Sequence, residues 1–118
     1  MTKIAPKTLA KRIVKIAWNK KAEDIVLLDL KKISIMADYF LVCSAGSEVQ
    51  ARVIAEAILD SLGDSGIRAS VEGLEGSRWI LIDCYSVIVH IFLPEAREFY
   101  DLERLWGDAP REEFSDDE

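Results

Sequence analysis

The sequence has few of the residues that metal sites and disulfide frameworks require. Its 118 residues include one histidine and two cysteines. A single histidine excludes a histidine cluster for a transition metal. Cys43 and Cys84 stand at a separation that matches no metal or redox motif, and both lie in strand-like apolar runs. We therefore expect buried free thiols, with a disulfide between neighbouring strands as the alternative that a reducing compartment disfavours.

Long apolar runs are also missing. No run approaches the roughly 20 residues needed to span a bilayer, and the first residues have no apolar signal-peptide core. These absences predict a cytoplasmic protein with no membrane partner. The length fits one small domain with a single core.

Positive charge is scarce after the first segment of the chain. The net charge of −6 argues against a general nucleic-acid binder, which must neutralise phosphates, and favours a basic protein partner. Ten of the 21 acidic residues lie between residues 95 and 118. We expect no direct, specific nucleic-acid binding, and interpret the basic first segment as a solvated helix face, with RNA contact as the alternative. Its cations are Lys3, Lys7, Lys11, Arg12, Lys15, Lys20 and Lys21.

What is present is a regular alternation of helical and strand-like patterns. Apolar residues at helical spacing predict a first helix over about 6–20. Two continuous apolar runs, 25–30 and 38–44, predict interior strands with helices on both faces of the sheet. A capping-box pattern, Ser47 and Gln50, opens the second helix, in which each side chain is expected to satisfy a backbone group of the other.

This second helix is predicted to end near Leu62, before Gly63 and Gly66, and its apolar positions are Val49, Val53, Ala57 and Ile58. A short strand is expected over 67–72. Strand, helix and strand in this order imply a right-handed crossover between parallel strands.

The densest strand-forming stretch, residues 79–92, predicts a β-hairpin. If Tyr85 and Ser86 form a two-residue turn, cross-strand partners follow, and alternate side chains share a face. One face is then purely aliphatic and belongs to the core: Ile80, Ile82, Cys84, Val87, Val89 and Ile91. The other face mixes large aromatic, aliphatic and polar side chains: Trp79, Leu81, Asp83, Ile88, His90 and Phe92.

The mixed face has two interpretations. One is a second core layer in which Asp83 and His90 form a local hydrogen-bonded pair. The other is a protein-docking patch, because aromatic anchors ringed by polar groups are typical of interface hot spots. Tyr-Ser is a poor turn sequence, lacking glycine or asparagine at the positive-φ positions, and a register slip of one residue exchanges the two faces.

The last third of the chain predicts one short helix and a tail. Pro94 begins the helix, Phe99, Leu102 and Trp106 share one of its faces, and Gly107 caps it. We expect residues 1–107 to form one domain and residues 108–118 an acidic, disordered tail.

An enzyme is the main alternative function. The pair Gly46-Ser47, between a strand and a helix, resembles the phosphate-gripping start of a nucleotidyltransferase fold. That chemistry needs paired carboxylates for magnesium on the next strand, and residues 67–72 contain no Asp-x-Asp or Asp-x-Glu. We therefore expect neither catalysis nor a cofactor or metal, and leave a nucleotide-binding or nucleotidyltransferase-type enzyme as the alternative.

Several segments together resemble the ribosomal silencing factor family, RsfS, also called Iojap-like. They are Glu72-Gly73, Trp79-Ile-Leu-Ile-Asp83, Val87-Ile-Val-His90-Ile-Phe92, Tyr100-Asp-Leu-Glu103-Arg-Leu-Trp106, Ala37-Asp38-Tyr39-Phe40 and Ser44-Ala-Gly-Ser47. The likeness covers about residues 7–107. It implies a single α/β domain: a mixed, mostly five-stranded sheet with flanking helices and a nucleotidyltransferase-like topology without the catalytic carboxylates.

The resemblance also implies a function. Family members bind the large ribosomal subunit through ribosomal protein L fourteen, block joining of the small subunit and so repress translation. A homodimer through the same apolar face is a further implication. On this basis we assign partner binding to Trp79 as anchor, Asp83 as charge partner, and Tyr85, Ser86 and His90 at the edge. Where the family usually has Gly-Asp at the hairpin turn, this chain has Tyr85-Ser86.

Overall fold

The computed structural model describes residues 4–76 and 78–114. In chain order the elements are α1 (Pro6–Asn19), β1 (Glu23–Asp29), β2 (Tyr39–Ser44), α2 (Glu48–Asp64), β3 (Ser70–Glu72), β4 (Trp79–Asp83), β5 (Val87–Phe92), α3 (Pro94–Tyr100), α4 (Leu102–Leu105) and β6 (Arg111–Phe114). The predicted helices and strands up to β5 are therefore present, and their bounds differ from the prediction by at most three residues.

The strands form one six-stranded mixed sheet in the order β3-β4-β5-β2-β1-β6. Strands β2 and β5 pair in parallel, and the other neighbours in this order pair antiparallel. Strands β2 and β3, on either side of α2, run in the same direction as predicted, but β4 and β5 lie between them. The α/β prediction is confirmed, and the strand count is six rather than five.

The sheet separates two apolar layers. Helices α1 and α2 cover one face, burying the larger cluster, which includes Ile13, Ile54 and Ile58 against Leu41 and Val89. On the other face a smaller cluster packs around Phe40 and Phe92, and α3 and α4 contribute to it. All six residues of β2 and of β5 are buried, as expected for central strands covered on both sides.

The predicted disordered tail is wrong for residues 111–114. These residues form β6, which pairs antiparallel with β1, while the amide of Asp29 donates to the carbonyl of Pro110 at 2.9 Å. Without β6, β1 would be a hydrophobic edge strand with unpaired backbone groups. An exposed edge strand does not need alternating apolar residues, so the acidic composition of residues 111–114 gave no sign of β6. Residues 115–118 lie outside the described residues.

The predicted single helix from Pro94 to Trp106 is also wrong. The helix is interrupted at Asp101, whose φ of 47° is left-handed, so α3 and α4 are separate helices. Leu102 and Trp106 consequently pack on the smaller cluster, whereas Phe99 is 81% exposed. An ion pair between Arg97 and Glu103, 3.0 Å apart, spans the break.

The start of α2 differs from the prediction in detail. The Ser47 hydroxyl accepts from the Gln50 amide at 3.1 Å, as expected. The Gln50 side chain, however, donates to the Lys20 carbonyl instead of returning a bond to Ser47. Val49 and Val53 are exposed, because the helix packs through Ala51, Ile54, Ala55, Ile58 and Leu62.

Candidate functional site

The hairpin has the predicted register. Trp79 is opposite Phe92, Leu81 opposite His90, and Asp83 opposite Ile88. The aliphatic face is buried in the larger cluster, where none of its six side chains is more than 4% exposed. The mixed face therefore lies on the side of α3 and α4.

A hydrogen bond between Trp79 and His90 defines the centre of the mixed face. The indole Nε1 of Trp79 donates to Nδ1 of His90 at 3.0 Å. Phe92 stacks on the Trp79 ring at 5.0 Å between centroids, and Phe40 lies 4.6 Å from the His90 ring. His90 and Phe92 thus hold the half-buried Trp79 side chain in one orientation.

His90 is not at the edge of the face, and that prediction is wrong. It is only 3% exposed, because Phe40 and Phe92 enclose the ring. The predicted pair with Asp83 is also absent from the described contacts: Oδ1 of Asp83 accepts from the Tyr85 amide at 2.9 Å instead. The second-core-layer interpretation therefore holds for His90.

The hydrogen bond fixes the protonation of His90. Since Nδ1 is the acceptor, the ring proton of the neutral imidazole lies on Nε2. Burial lowers the pKa of His90 to about 4, so the ring is neutral at physiological pH. His90 consequently acts as an uncharged support for Trp79.

Gly73 also constrains Trp79. A Cβ on Gly73 would lie 2.1 Å from the carbonyl oxygen of Trp79, and the φ of Gly73 is 86°. Any larger side chain would push β4 away at the residue where it begins.

Exposed aromatic side chains surround Trp79. Tyr100 packs against the Trp79 ring at 4.5 Å, and Phe99 meets Tyr100 edge-on at 5.1 Å. With Arg78, Glu95 and Ala96 these three line a shallow cavity of about 450 Å³. We call this surface the Trp79 patch. Sequence reasoning missed Phe99 and Tyr100 because helical spacing placed Phe99 on a buried face.

The other predicted site residues form a separate group at the far end of β4. Tyr85 is 78% exposed, while Asp83 and Ser86 are half-buried. Asp83 lies four positions after Trp79 along β4, a distance of about 13 Å. The structure therefore brings Trp79 and His90 together, and Asp83, Tyr85 and Ser86 together, but not the two groups.

The hairpin turn adopts its geometry despite its sequence. Tyr85 has a φ of 70°, a conformation that favours glycine. The bond from its amide to Asp83 offsets part of the strain. The Ser86 carbonyl accepts from the amides of Asp38 and Tyr39, which fixes the turn to the connection between β1 and β2.

The two cysteine thiols are the remaining candidate groups. Cys43 and Cys84 are buried free thiols, as predicted, and burial raises their pKa to about 12 and about 11. Cys84 lies on the opposite face of the sheet from His90. Within residues 4–76 and 78–114, no three His, Cys, Asp or Glu side chains are grouped to hold a metal ion.

No helix in the described part of the chain is long and apolar enough to cross a membrane.

Comparison with known proteins identifies relatives in both sequence and fold. The family model described as "Ribosomal silencing factor during starvation" matches residues 3–118. "Ribosomal silencing factor RsfS" of Bacillus subtilis is 46% identical over 105 residues, covering 85% of this chain and 89% of that protein. A Chromobacterium violaceum crystal structure superposes with a TM-score of 0.85 at 30% identity, covering 88% of each chain.

A more distant relative is the mouse protein named "Mitochondrial assembly of ribosomal large subunit protein 1". It is 26% identical over 98 residues, covering 80% of this chain and 43% of that protein. The family match spans nearly the whole chain and includes the hairpin that carries Trp79 and His90. The chain therefore belongs to the ribosomal silencing factor family, RsfS.

Proposed function

We propose that this protein represses translation by binding the large ribosomal subunit through ribosomal protein L fourteen and sterically blocking the small subunit. The mechanism is occlusion, so it requires no catalytic residue and no cofactor, and it operates in the cytoplasm. Family membership supports the ribosomal role, and the name of the mouse relative supports the large subunit. The identity of the ribosomal protein follows from the family resemblance alone.

The observation that carries the docking site is the restrained, half-exposed Trp79 among exposed aromatics. Its ring is fixed by His90, Phe92 and Tyr100 before any partner arrives. A side chain that is already ordered loses little rotamer entropy on binding. Because its N–H is already bonded to His90, Trp79 offers a partner its ring surface, and the contact is apolar. Rigid aromatic anchors of this kind are the usual hot spots of protein interfaces.

Charge complements this apolar centre. Helices α3 and α4 carry Glu95, Glu98 and Glu103, with Asp101 between the two helices, against only two arginines. A basic ribosomal protein meets a favourable field there, which speeds association and fixes orientation. In this proposal a second contact is formed by Asp83, Tyr85 and Ser86, about 13 Å from Trp79. An interface of ordinary size can include both contacts. His90 contributes by holding Trp79.

The test is co-sedimentation with purified large subunits. Trp79→Ala removes the anchor, and we expect its affinity to fall at least ~30-fold, the loss typical of a hot-spot aromatic. Trp18→Ala is the matched control, because Trp18 is a half-buried tryptophan on the α1 side of the sheet. Its subunit affinity should stay within ~threefold of wild type.

Circular dichroism and thermal unfolding of both variants establish that each is folded. If folded Trp79→Ala sediments with the large subunit as wild type does, the docking site is not the Trp79 patch. If wild-type protein fails to inhibit association of the two subunits, the occlusion mechanism is wrong.

A further inference from the structure

We propose that the outward face of α1 binds the phosphate backbone of RNA, without sequence specificity. This inference rests on the proposed function for its biological setting, because that function places the protein on an RNA-rich particle. The surface itself is identified from charge and packing, on the opposite side of the sheet from the Trp79 patch.

The first 22 residues contain seven cations and no acid. They carry a charge of +7, so the other 96 residues carry −13 to give the net −6. The molecule measures 39 × 33 × 29 Å, whereas charges are screened over about 8 Å at physiological salt. A ligand at α1 therefore experiences the local cations more strongly than the net charge.

The cations follow a line along the helix. Lys7, Lys11 and Lys15 recur every four residues, which places them on one face with a rise of about 6 Å between neighbours. Lys20 and Lys21 extend the positive charge beyond the end of α1. Within the described residues, Lys11 forms a salt bridge with Glu112, and the other four lysines form none.

This arrangement is locally unfavourable for the helix. Like charges four residues apart repel each other, and Lys7 lies in the first turn, where the helix dipole disfavours a cation. The exposed side of α2 carries both signs at the same spacing, with Glu48, Arg52, Glu56 and Asp60, and only the last two neighbours are like charges. The exposed side of α2 is therefore of mixed charge, whereas that of α1 is basic throughout.

The packing leaves this face free for a ligand. Helix α1 buries Leu9, Ala10, Ile13, Val14 and Ala17 against the sheet, while Lys7, Lys15, Lys20 and Lys21 are exposed. Trp79 lies on the other side of the sheet, so a protein bound there leaves these lysines uncovered. A polyanion would neutralise the lysines, and RNA is the polyanion that a ribosomal subunit supplies.

The test uses fluorescence anisotropy of the full chain with labelled oligouridine of about 15 nucleotides and with an RNA duplex of similar length. We expect both probes to bind at low salt, with affinity falling steeply as salt rises. The triple variant Lys7→Gln/Lys15→Gln/Lys20→Gln should lose at least ~tenfold in affinity and reduce the salt slope on oligouridine by about 2.

The matched control is Lys32→Gln/Arg52→Gln/Arg68→Gln, which removes three exposed cations elsewhere and changes the net charge equally. It should retain RNA affinity within ~twofold. Absence of binding by wild type, or equal losses in the two triple variants, would overturn the inference. The inference would also be overturned if the Lys7→Gln/Lys15→Gln/Lys20→Gln variant lost self-association in light scattering but bound RNA as wild type does. That result would show that the α1 face binds the acidic surface of a second copy.

The experiments distinguish failure of RNA binding by α1 from failure of the proposed function. Trp79→Ala should bind oligouridine as wild type does, because Trp79 lies on the other side of the sheet. Loss of subunit binding in Trp79→Ala with RNA binding retained supports both proposals. RNA binding that depends on the α1 lysines, in a protein that does not block subunit joining, supports the inference and contradicts the proposed function.

Discussion

At the scale of single residues, the buried His90 side chain fixes the orientation of Trp79 at the surface. Its imidazole accepts one hydrogen bond from Trp79 and is otherwise enclosed by aromatic rings. The arrangement requires the neutral ring, since a proton on Nδ1 would remove the acceptor and place a charge in an apolar layer. The orientation of the half-buried indole therefore depends on a side chain that is itself buried.

We predict that the titration of His90 lowers the free energy of unfolding as the pH falls. Its pKa of about 4 in the folded state lies below the ordinary 6.5, so the unfolded chain binds a proton first as pH falls. The contribution is fully present above pH 6.5 and declines between about pH 6.5 and 4, by up to about 3 kcal/mol.

Urea unfolding at several pH values measures this effect. His90→Asn is the comparison, because its amide oxygen replaces the acceptor without titrating. The difference between the wild-type and variant unfolding free energies should change over this pH range. A difference that is constant from pH 7 to 4 would contradict the assignment.

At the scale of elements, β6 decides whether the sheet has a hydrophobic edge. It covers β1, whose residues Ile25, Val26, Leu27 and Leu28 are all buried. The ion pairs of Arg111 with Glu103 and Glu113 connect β6 to α4 and to itself. A segment that resembles an acidic tail in composition is therefore part of the folded domain.

Removing residues 111–118 should destabilise the domain by about 2 to 4 kcal/mol, because strand pairing and the packing of Phe114 are lost together. The exposed edge of β1 should also promote self-association. Urea unfolding and light scattering measure the two effects.

Glu112→Gln/Glu113→Gln in the full chain is the control, since it keeps the strand and removes only charge. A truncated protein with the wild-type urea midpoint, and no increase in light scattering, would show that β6 is dispensable.

At the scale of the whole molecule, the sheet separates two surfaces of different character. One side carries the aromatic Trp79 patch among acidic residues, and the other carries the lysines of α1. The family resemblance implies a homodimer through the apolar face. If that face is the Trp79 patch, dimer formation and ribosome binding compete for the same residues.

We therefore expect Phe99→Ser to weaken self-association and large-subunit binding together. Phe99 is highly exposed, so the substitution removes apolar contact area while leaving the core intact. Val49→Ser is the matched control, because Val49 is an exposed apolar residue on α2. Sedimentation equilibrium and co-sedimentation with subunits measure the two interactions. A loss confined to one of them would show that the surfaces are different.

Local sequence patterns were sufficient for much of this fold. Alternation within residues 79–92 determined which hairpin side chains face the core, because successive strand residues point to opposite faces. The register was correct even though Tyr85 occupies a position suited to glycine, since burying the aliphatic face outweighs the strain at one residue. Helical spacing likewise predicted α1, and Pro94 marked the start of α3.

Only the tertiary structure decided the features that depend on partners distant in sequence. The unpaired edge of β1 recruits β6 from the far end of the chain, and composition carries no trace of that pairing. The left-handed Asp101 turns Leu102 and Trp106 inward and leaves Phe99 outside, which helical spacing cannot show. His90 and Trp79 were both predicted on the mixed face of the hairpin. His90 is buried because Phe40, a residue of a different strand, packs against its ring. From that buried position His90 accepts the hydrogen bond that holds Trp79.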